Sequence, residues 1–266
     1  MRILGLGKLP TQLSGDSVTI INRRTLLSGL GALPLASAAS LGSLSPAIAQ
    51  TVPAAPVRPM PALARTHDTV MLNAVQTTRP RLALTFDDGP HPQNTPWLLD
   101  ILAQYRARAT FYVIGQNARR YPEIMRRIVA EGHEIGNHSY THPMLSHLGD
   151  QGVLREIDRT QQVVWDTVGA VPVTMRPPYG AFSTRQMHML FDQRNLSTVV
   201  WSVDPQDWRR PGVETIANHV LGSVFPGAIV LMHDGGGERT QSVAALEIVL
   251  RELSARGYSF YNIFGQ

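Results

Sequence analysis

The chain contains no cysteine. That excludes a disulfide framework, a thiolate metal site, a cysteine nucleophile and a lipid anchor on cysteine. Lysine is almost missing as well, Lys8 being the only one. No charge of either sign falls between Arg24 and Arg58. The apolar stretch inside that gap, 26–44, is diluted by Gly, Ser and Pro34. It falls short of the roughly 20 strongly apolar residues that a permanent spanning helix wants. No G-x-S-x-G segment occurs, so a serine-hydrolase elbow finds no support.

What is present is an ordinary globular composition, 43% apolar over 266 residues. At about 100–200 residues per domain, that length allows one large domain or two small ones. The net charge of +4 and pI of about 9.7 would suggest nucleic acid or an anionic membrane as partner. The charge is unevenly placed, however. Arg2, Lys8, Arg23 and Arg24 against Asp16 give residues 1–49 a net of +3, which leaves only +1 for the rest. No nucleic-acid partner is expected.

The basic N-terminus reads as an address. Arg23-Arg24-Thr25-Leu26-Leu27 precedes the weakly apolar stretch, and Ala47-Ile48-Ala49 is a small-x-small cleavage signature. Twin arginines ahead of such a segment resemble a Tat export signal. Residues 1–49 are therefore expected to direct export to the periplasm or beyond and to be removed, leaving no membrane anchor. Residues 50–78 carry Pro53, Pro56, Pro59 and Pro61 among several alanines, the composition of an extended linker. The folded domain is expected to span 79–266.

Within that domain, short apolar runs alternate with helical stripes. Strands are expected near 82–86, 110–114, 133–136, 171–175, 196–201, 228–232 and 258–261. Helices are expected between them. One is capped by Asn94 with Pro96 in its first turn, one runs over 122–131 to Gly132, one is capped by Asp150 and one by Ser183. Two more cover 213–221 and 240–255. Trp97 and Trp165 fall on the apolar stripes. The alternation implies parallel strands, and seven of them suggest an α/β barrel, closed or distorted.

Unusual polar residues recur where these strands end, the rim on which parallel barrels collect their functional groups. They are Asp87-Asp88-Gly89-Pro90, Asn137-His138-Ser139-Tyr140-Thr141-His142, Arg176-Pro177-Pro178-Tyr179-Gly180, Asp204-Pro205-Gln206-Asp207-Trp208 and His233-Asp234-Gly235. His138 and His142, four apart, can share a face and grip one cation. A carboxylate from another strand end would complete a two-histidine, one-carboxylate site with open positions. Asp87 and Asp88 both offer it. Adjacent residues of a regular strand point to opposite faces, but a Gly-Pro turn directly after them can bring both to one cavity, one as ligand and the other as base. A plain turn would also fit Asp-Asp-Gly-Pro.

Taken together, Thr85-Phe-Asp-Asp-Gly-Pro90, His138-Ser-Tyr-Thr-His142, Arg176-Pro-Pro-Tyr-Gly180, Asp204-Pro-Gln-Asp-Trp208 and Leu231-Met-His-Asp234 resemble the five ordered motifs of the polysaccharide deacetylases, carbohydrate esterase family four. The resemblance covers about residues 80–261. It implies a distorted (β/α)7 barrel in a single catalytic domain, which agrees with the seven strands expected above. It implies one divalent metal ion, zinc or a cobalt-like ion, held by Asp88, His138 and His142. Asp87 would be the general base, held ionised by Arg176. The backbone N–H of Tyr179 would help hold the oxyanion. His233 would be the general acid, oriented by Asp207, while Trp201 and Leu231 would line the acetyl pocket. Asn137 and Ser139 stand as supports of the metal site, and Trp208 as a further platform near the rim.

The implied activity is metal-dependent removal of N-acetyl groups from N-acetylglucosamine units of a glycan, peptidoglycan or chitin-like. An O-acetyl esterase on xylan or another acetylated glycan would use the same water attack. A glycan-binding protein without turnover is the alternative of another class, and the intact set of base, ligands and acid argues against it. No feature speaks for an oligomer, so a monomer is expected.

Overall fold

The computed structural model describes residues 69–264, so the expected export signal and most of the expected linker lie outside the described residues. The sheet grows around β2 (Arg81–Asp87), in which every residue from Leu82 onward is buried. A strand that is buried on both faces reads as a nearly continuous apolar run and belongs inside a parallel sheet. It pairs in parallel with β3 (Thr110–Val113), β7 (Ile229–His233) and β8 (Ser259–Tyr261). The order across the sheet continues through β4 (Glu134–Asn137), β5 (Thr174–Met175) and β6 (Ser197–Val199) to β1 (Met71–Leu72), all of them parallel.

Between β6 and β7 the strand ladder is interrupted. There the sheet is bridged just past β6, where Ser202 and Val203 donate to Ile229 O (3.0 and 3.1 Å) and Val203 O accepts from Leu231 N (2.9 Å). This α/β architecture is the one expected, with an irregular seam.

Among the described residues, seven α-helices cover the sheet: α1 (Asn94–Gln104), α2 (Gly115–Arg120), α3 (Pro122–Ala130), α4 (Asp150–Val168), α5 (Thr184–Arg194), α6 (Val213–Ser223) and α7 (Thr240–Ala255). Leu84, Phe86 and Phe111 of the strands pack with Leu98 and Leu102 of α1 and Leu246 and Val249 of α7 in the main core. A smaller cluster joins Ala83, Tyr112, Val199 and Ile229 with Trp201 against it. The fully buried Arg176 guanidinium lies over the Tyr112 ring of that cluster, 4.3 Å from its centroid.

Several local expectations need correction. The linker does not run to residue 78: Met71 and Leu72 pair with Thr198 and Val199, and Ala74 bridges Ala228. Proline there did not prevent pairing because it stops at Pro61, before the strand. Asn94 does not cap α1; its amide reaches across to Asp234 O (3.2 Å), and His91 Nδ1 accepts from Gln93 N and Asn94 N instead. Asp150 is the first residue of α4 and not its cap, because its carboxylate pairs with Arg185. Ser183 does cap α5, in a reciprocal capping box with Gln186. Trp97 is not in the core but 47% exposed. The strands expected at 171–175 and 196–201 shrink to two and three residues, the latter because the chain bends past Val199 toward the seam.

Candidate active site

Asp87 ends β2 and is paired in register with Tyr112 on β3 and His233 on β7. Asp88 leaves the strand with a left-handed backbone, φ 73°. This single reversal, ahead of the Gly89–Pro90 turn, lets both carboxylates face one cavity. The turn is fixed by Asn117 Nδ2, which donates to Asp88 O (2.9 Å), and by Ile114 N, which donates to Gly89 O (2.9 Å). It also needs empty space. A Cβ on Gly235 would lie 2.0 Å from Asp88 O, and one on Gly236 would lie 2.4 Å from Asp88 Oδ2.

His138 follows β4. Its Nδ1–H donates to Arg176 O (2.7 Å), which leaves Nε2 for the cavity. His142 sits on an irregular loop with φ 61°. Its Nε2 is 3.1 Å and that of His138 3.4 Å from Asp88 Oδ1. Ligand atoms from the three residues all lie within 4.8 Å of one another. Asp88 Oδ1 is buried and has no hydrogen-bond partner. A buried carboxylate oxygen facing two imidazole nitrogens is a donor set that one divalent cation satisfies, so the residues fit the implied metal. Burial disfavours charge on Asp88, but the two histidines outweigh it and hold its carboxyl far below the usual carboxylate range. Asn137 and Ser139 brace the segment between the two histidines: Asn137 Oδ1 accepts from Ser139 N (2.9 Å), and Ser139 Oγ accepts from His142 N (3.1 Å).

Asp87 is partnered differently, although its Oδ2 lies 3.7 Å from His138 Nε2. Its Oδ1 accepts from Arg176 Nη1 at 2.8 Å. The same nitrogen donates to Thr85 Oγ1, while Nε and Nη2 donate to Val199 O and Val200 O. The guanidinium is thus held on all sides and presents one fixed positive charge to Asp87.

Across the cavity, His233 Nδ1–H donates to Asp207 Oδ1 (2.7 Å), and His233 N donates to Asp207 Oδ2 (2.9 Å). Ser242 Oγ adds a third donor to that carboxylate at 2.6 Å. Burial opposes a charge on His233, but Asp207 prevails and pushes the imidazole up to about 9. Its Nε2 remains for the cavity.

The cavity measures about 570 Å³, and of the seven catalytic and metal candidates just described, all but the enclosed partners Arg176 and Asp207 open onto it. Tyr179, Trp201 and Leu231 line it too. Tyr179 is 66% exposed, with φ 61° and its ring 4.7 Å from that of His142. Trp208 also borders it, as does Asp204, whose carboxylate accepts from Gln206 N (2.8 Å). Sequence reasoning missed Ser242 and Asn117, which lie on helices where a small polar residue looks like part of a solvated face. It named Asp234 among the strand-end residues but gave it no role; the residue is wholly buried beneath Gly89 with Thr95 donating to it, and burial pushes its carboxyl up to about 7.

A family model described as polysaccharide deacetylase matches residues 74–192. A peptidoglycan-N-acetylglucosamine deacetylase of Bacillus cereus is 42% identical over 184 residues, covering 68% of this chain and 85% of that protein. Another B. cereus protein of the same name is 40% identical, matched over 66% of its own length. A chitooligosaccharide deacetylase of Sinorhizobium fredii is 43% identical over 195 residues, covering 68% of this chain and 89% of that one. Among solved structures, the Bc1960 peptidoglycan N-acetylglucosamine deacetylase gives a TM-score of 0.71 at 37% identity, covering 73% of this chain and 91% of that one. Identity of this order, carried on a shared fold over most of such relatives, places the chain among the polysaccharide deacetylases: it is an enzyme of carbohydrate esterase family four.

Proposed function

We propose that the protein removes N-acetyl groups from N-acetylglucosamine units of a polysaccharide, peptidoglycan or chitin-like, with the help of one divalent ion, zinc in first place. The observation that carries this reading is the juxtaposition of Asp87 and His233. They are register partners on β2 and β7, border one cavity and have opposite electrostatic partners.

Asp88, His138 and His142 would hold the ion, which when bound supplies Lewis acidity to the acetamide carbonyl and acidifies water. Asp87, paired with the Arg176 guanidinium, takes the proton of the attacking water. The Tyr179 N–H donates to the oxygen that becomes negative; one such donor is typically worth about 2.7–4 kcal/mol. His233, kept protonated by Asp207, gives its Nε2 proton to the departing amine as the C–N bond breaks. Trp201 and Leu231 exclude water around the acetyl methyl group, and Tyr179 and Trp208 offer aromatic faces to the sugar.

A relative with the same fold but without turnover is conceivable in this family: WT BA3943 of Bacillus anthracis, described as a pseudoenzyme, is 26% identical with a TM-score of 0.69. The complete set of groups in the present chain supports turnover. The test is acetate release from acetylated chito-oligomers, peptidoglycan and acetylated xylan, with and without chelator. Chelator-sensitive release from the first two is expected. Release from xylan alone would replace the amidase reading by an esterase one, and release from none with metal bound would favour a binding protein. The twin-arginine segment further supports export to the cell envelope. N-terminal sequencing of exported protein is expected to find cleavage near Ala49, and a chain still starting before Arg23 would sink that proposal.

A further inference from the structure

The loop that carries His142 has an unfavourable backbone and is fastened from outside. Ser139 and His142 both have positive φ, 64° and 61°. Residues with a side chain adopt that region only where their surroundings impose it. On one side, Ser139 O and Tyr140 O accept from Gly115 N and Gln116 N at the start of α2 (2.9 and 3.1 Å). On the other, Tyr140 N and Thr141 N both donate to a single oxygen, Oε2 of Glu156 on α4, at 2.9 and 2.7 Å. The two amides lie between the ligand histidines. They have no strand or helix partner of their own, and the carboxylate supplies charge-assisted bonds to both.

His138 does not need this support. It follows β4 directly and is held by Arg176 O. His142 is reached only through the loop. Without the Glu156 acceptor, the Tyr140 and Thr141 N–H groups would turn to find water. The left-handed residues flanking them would lose one of their supports, and His142 Nε2 would drift from Asp88 Oδ1.

We propose that Glu156 is a positioning residue. Its carboxylate clamps the 139–142 loop, holds His142 in register with Asp88 and His138, and thereby sets the affinity of the site for its divalent cation. This rests on the reading of those three residues as ligands. Nothing in the sequence marks Glu156, since an acidic residue on a long helix ordinarily belongs to a solvated face.

The test measures zinc affinity by competition with a chromophoric chelator, and cobalt absorption as a report of ligand geometry, in the full chain. Glu156→Ala is expected to weaken zinc binding about 10–100-fold, the usual effect of removing an outer-shell support, and to alter the cobalt spectrum. Glu156→Gln keeps an oxygen that can accept both N–H groups and is expected to restore most of the affinity. Asp158→Ala, which removes an α4 carboxylate paired with Arg194, is expected to bind zinc as the parent does. Should Glu156→Ala not fold, Glu156→Asp keeps the charge but withdraws it by one methylene, and is expected to show intermediate weakening. Parent-like affinity in Glu156→Ala, or in Glu156→Asp in its place, would overturn the clamp. So would a glutamine variant as weak as the alanine one. A parent protein that binds no zinc would remove the ligand reading itself, whereas equal binding by parent and variant removes only the clamp.

Discussion

Asp87 and His233 are neighbours on β2 and β7, yet the two sides of the cavity are built in opposite senses. On the side of the proposed base, Asp87 faces a cation: Arg176, which directly follows β5, is fully buried and bonds four separate oxygens. On the acid side, a cation is held by an anion: Asp207, past β6, is also fully buried and accepts from His233 twice and Ser242 once. The two side chains at one register position therefore face opposite charges because each borrows its partner from a different strand end. The base side is also continuous with the interior of the sheet, through the Arg176–Tyr112 stack, while the acid side rests on α7 at the periphery.

The largest expected effect separates the two adjacent aspartates. Asp87→Asn should keep the metal and lose about 10²–10⁴ in turnover, the usual worth of general acid–base help. Asp88→Ala should lose both. Metal content and kcat measured together check this, and equal metal retention would break the assignment.

Next comes the contrast in stability. Arg176→Gln strips the counter-charge from a buried carboxylate and should cost about 3–5 kcal/mol in urea unfolding. Ser242→Ala, on the acid side, removes one hydrogen bond to a charged group and should cost about 1.5–3 kcal/mol. Equal losses would erase the distinction between interior and periphery.

A third expectation concerns pH. The folded state of the metal-free protein raises His233 from its ordinary 6.5 to about 9, so folding favours the protonated ring. The stability contributed by the His233–Asp207 pair is therefore fully present below about 6.5 and is lost as pH rises through about 9. Asp207→Asn should flatten that dependence in unfolding experiments. It should also move the alkaline limb of kcat to lower pH, since an amide no longer favours the imidazolium. A limb that stayed in place would mean that another group is the acid. The smallest effect is expected at Trp208→Phe, which keeps an aromatic face. KM should rise by a few-fold with kcat little changed, as for lost uniform binding.

The strand-end motifs were legible because each follows an apolar run that has to be a strand, and parallel pairing then places all five on one rim. The assignment of separate roles to Asp87 and Asp88 needed the family resemblance. The left-handed backbone of Asp88, which turns both carboxylates to one cavity, has no mark in Asp-Asp-Gly-Pro that distinguishes it from any tight turn. Asn94 looked like a cap because its local surroundings fit one; the bond to Asp234 that claims it spans most of the chain. Glu156 and Ser242 were illegible for the same reason, each acting on a loop that lies elsewhere in the sequence. The start of the sheet was hidden because two residues of pairing in β1 leave no periodicity to read.

The closeness of Gly235 and Gly236 to Asp88 has a practical meaning for anyone reading variants of this chain. Neither glycine holds a cation, moves a proton or touches sugar in the scheme above. Yet a single added methyl at Gly236 would come within 2.4 Å of Asp88 Oδ2. The geometry of the proposed centre thus depends on carbon atoms that are absent, and a change as mild on paper as Gly236→Ala would force the Asp88 side chain to shift.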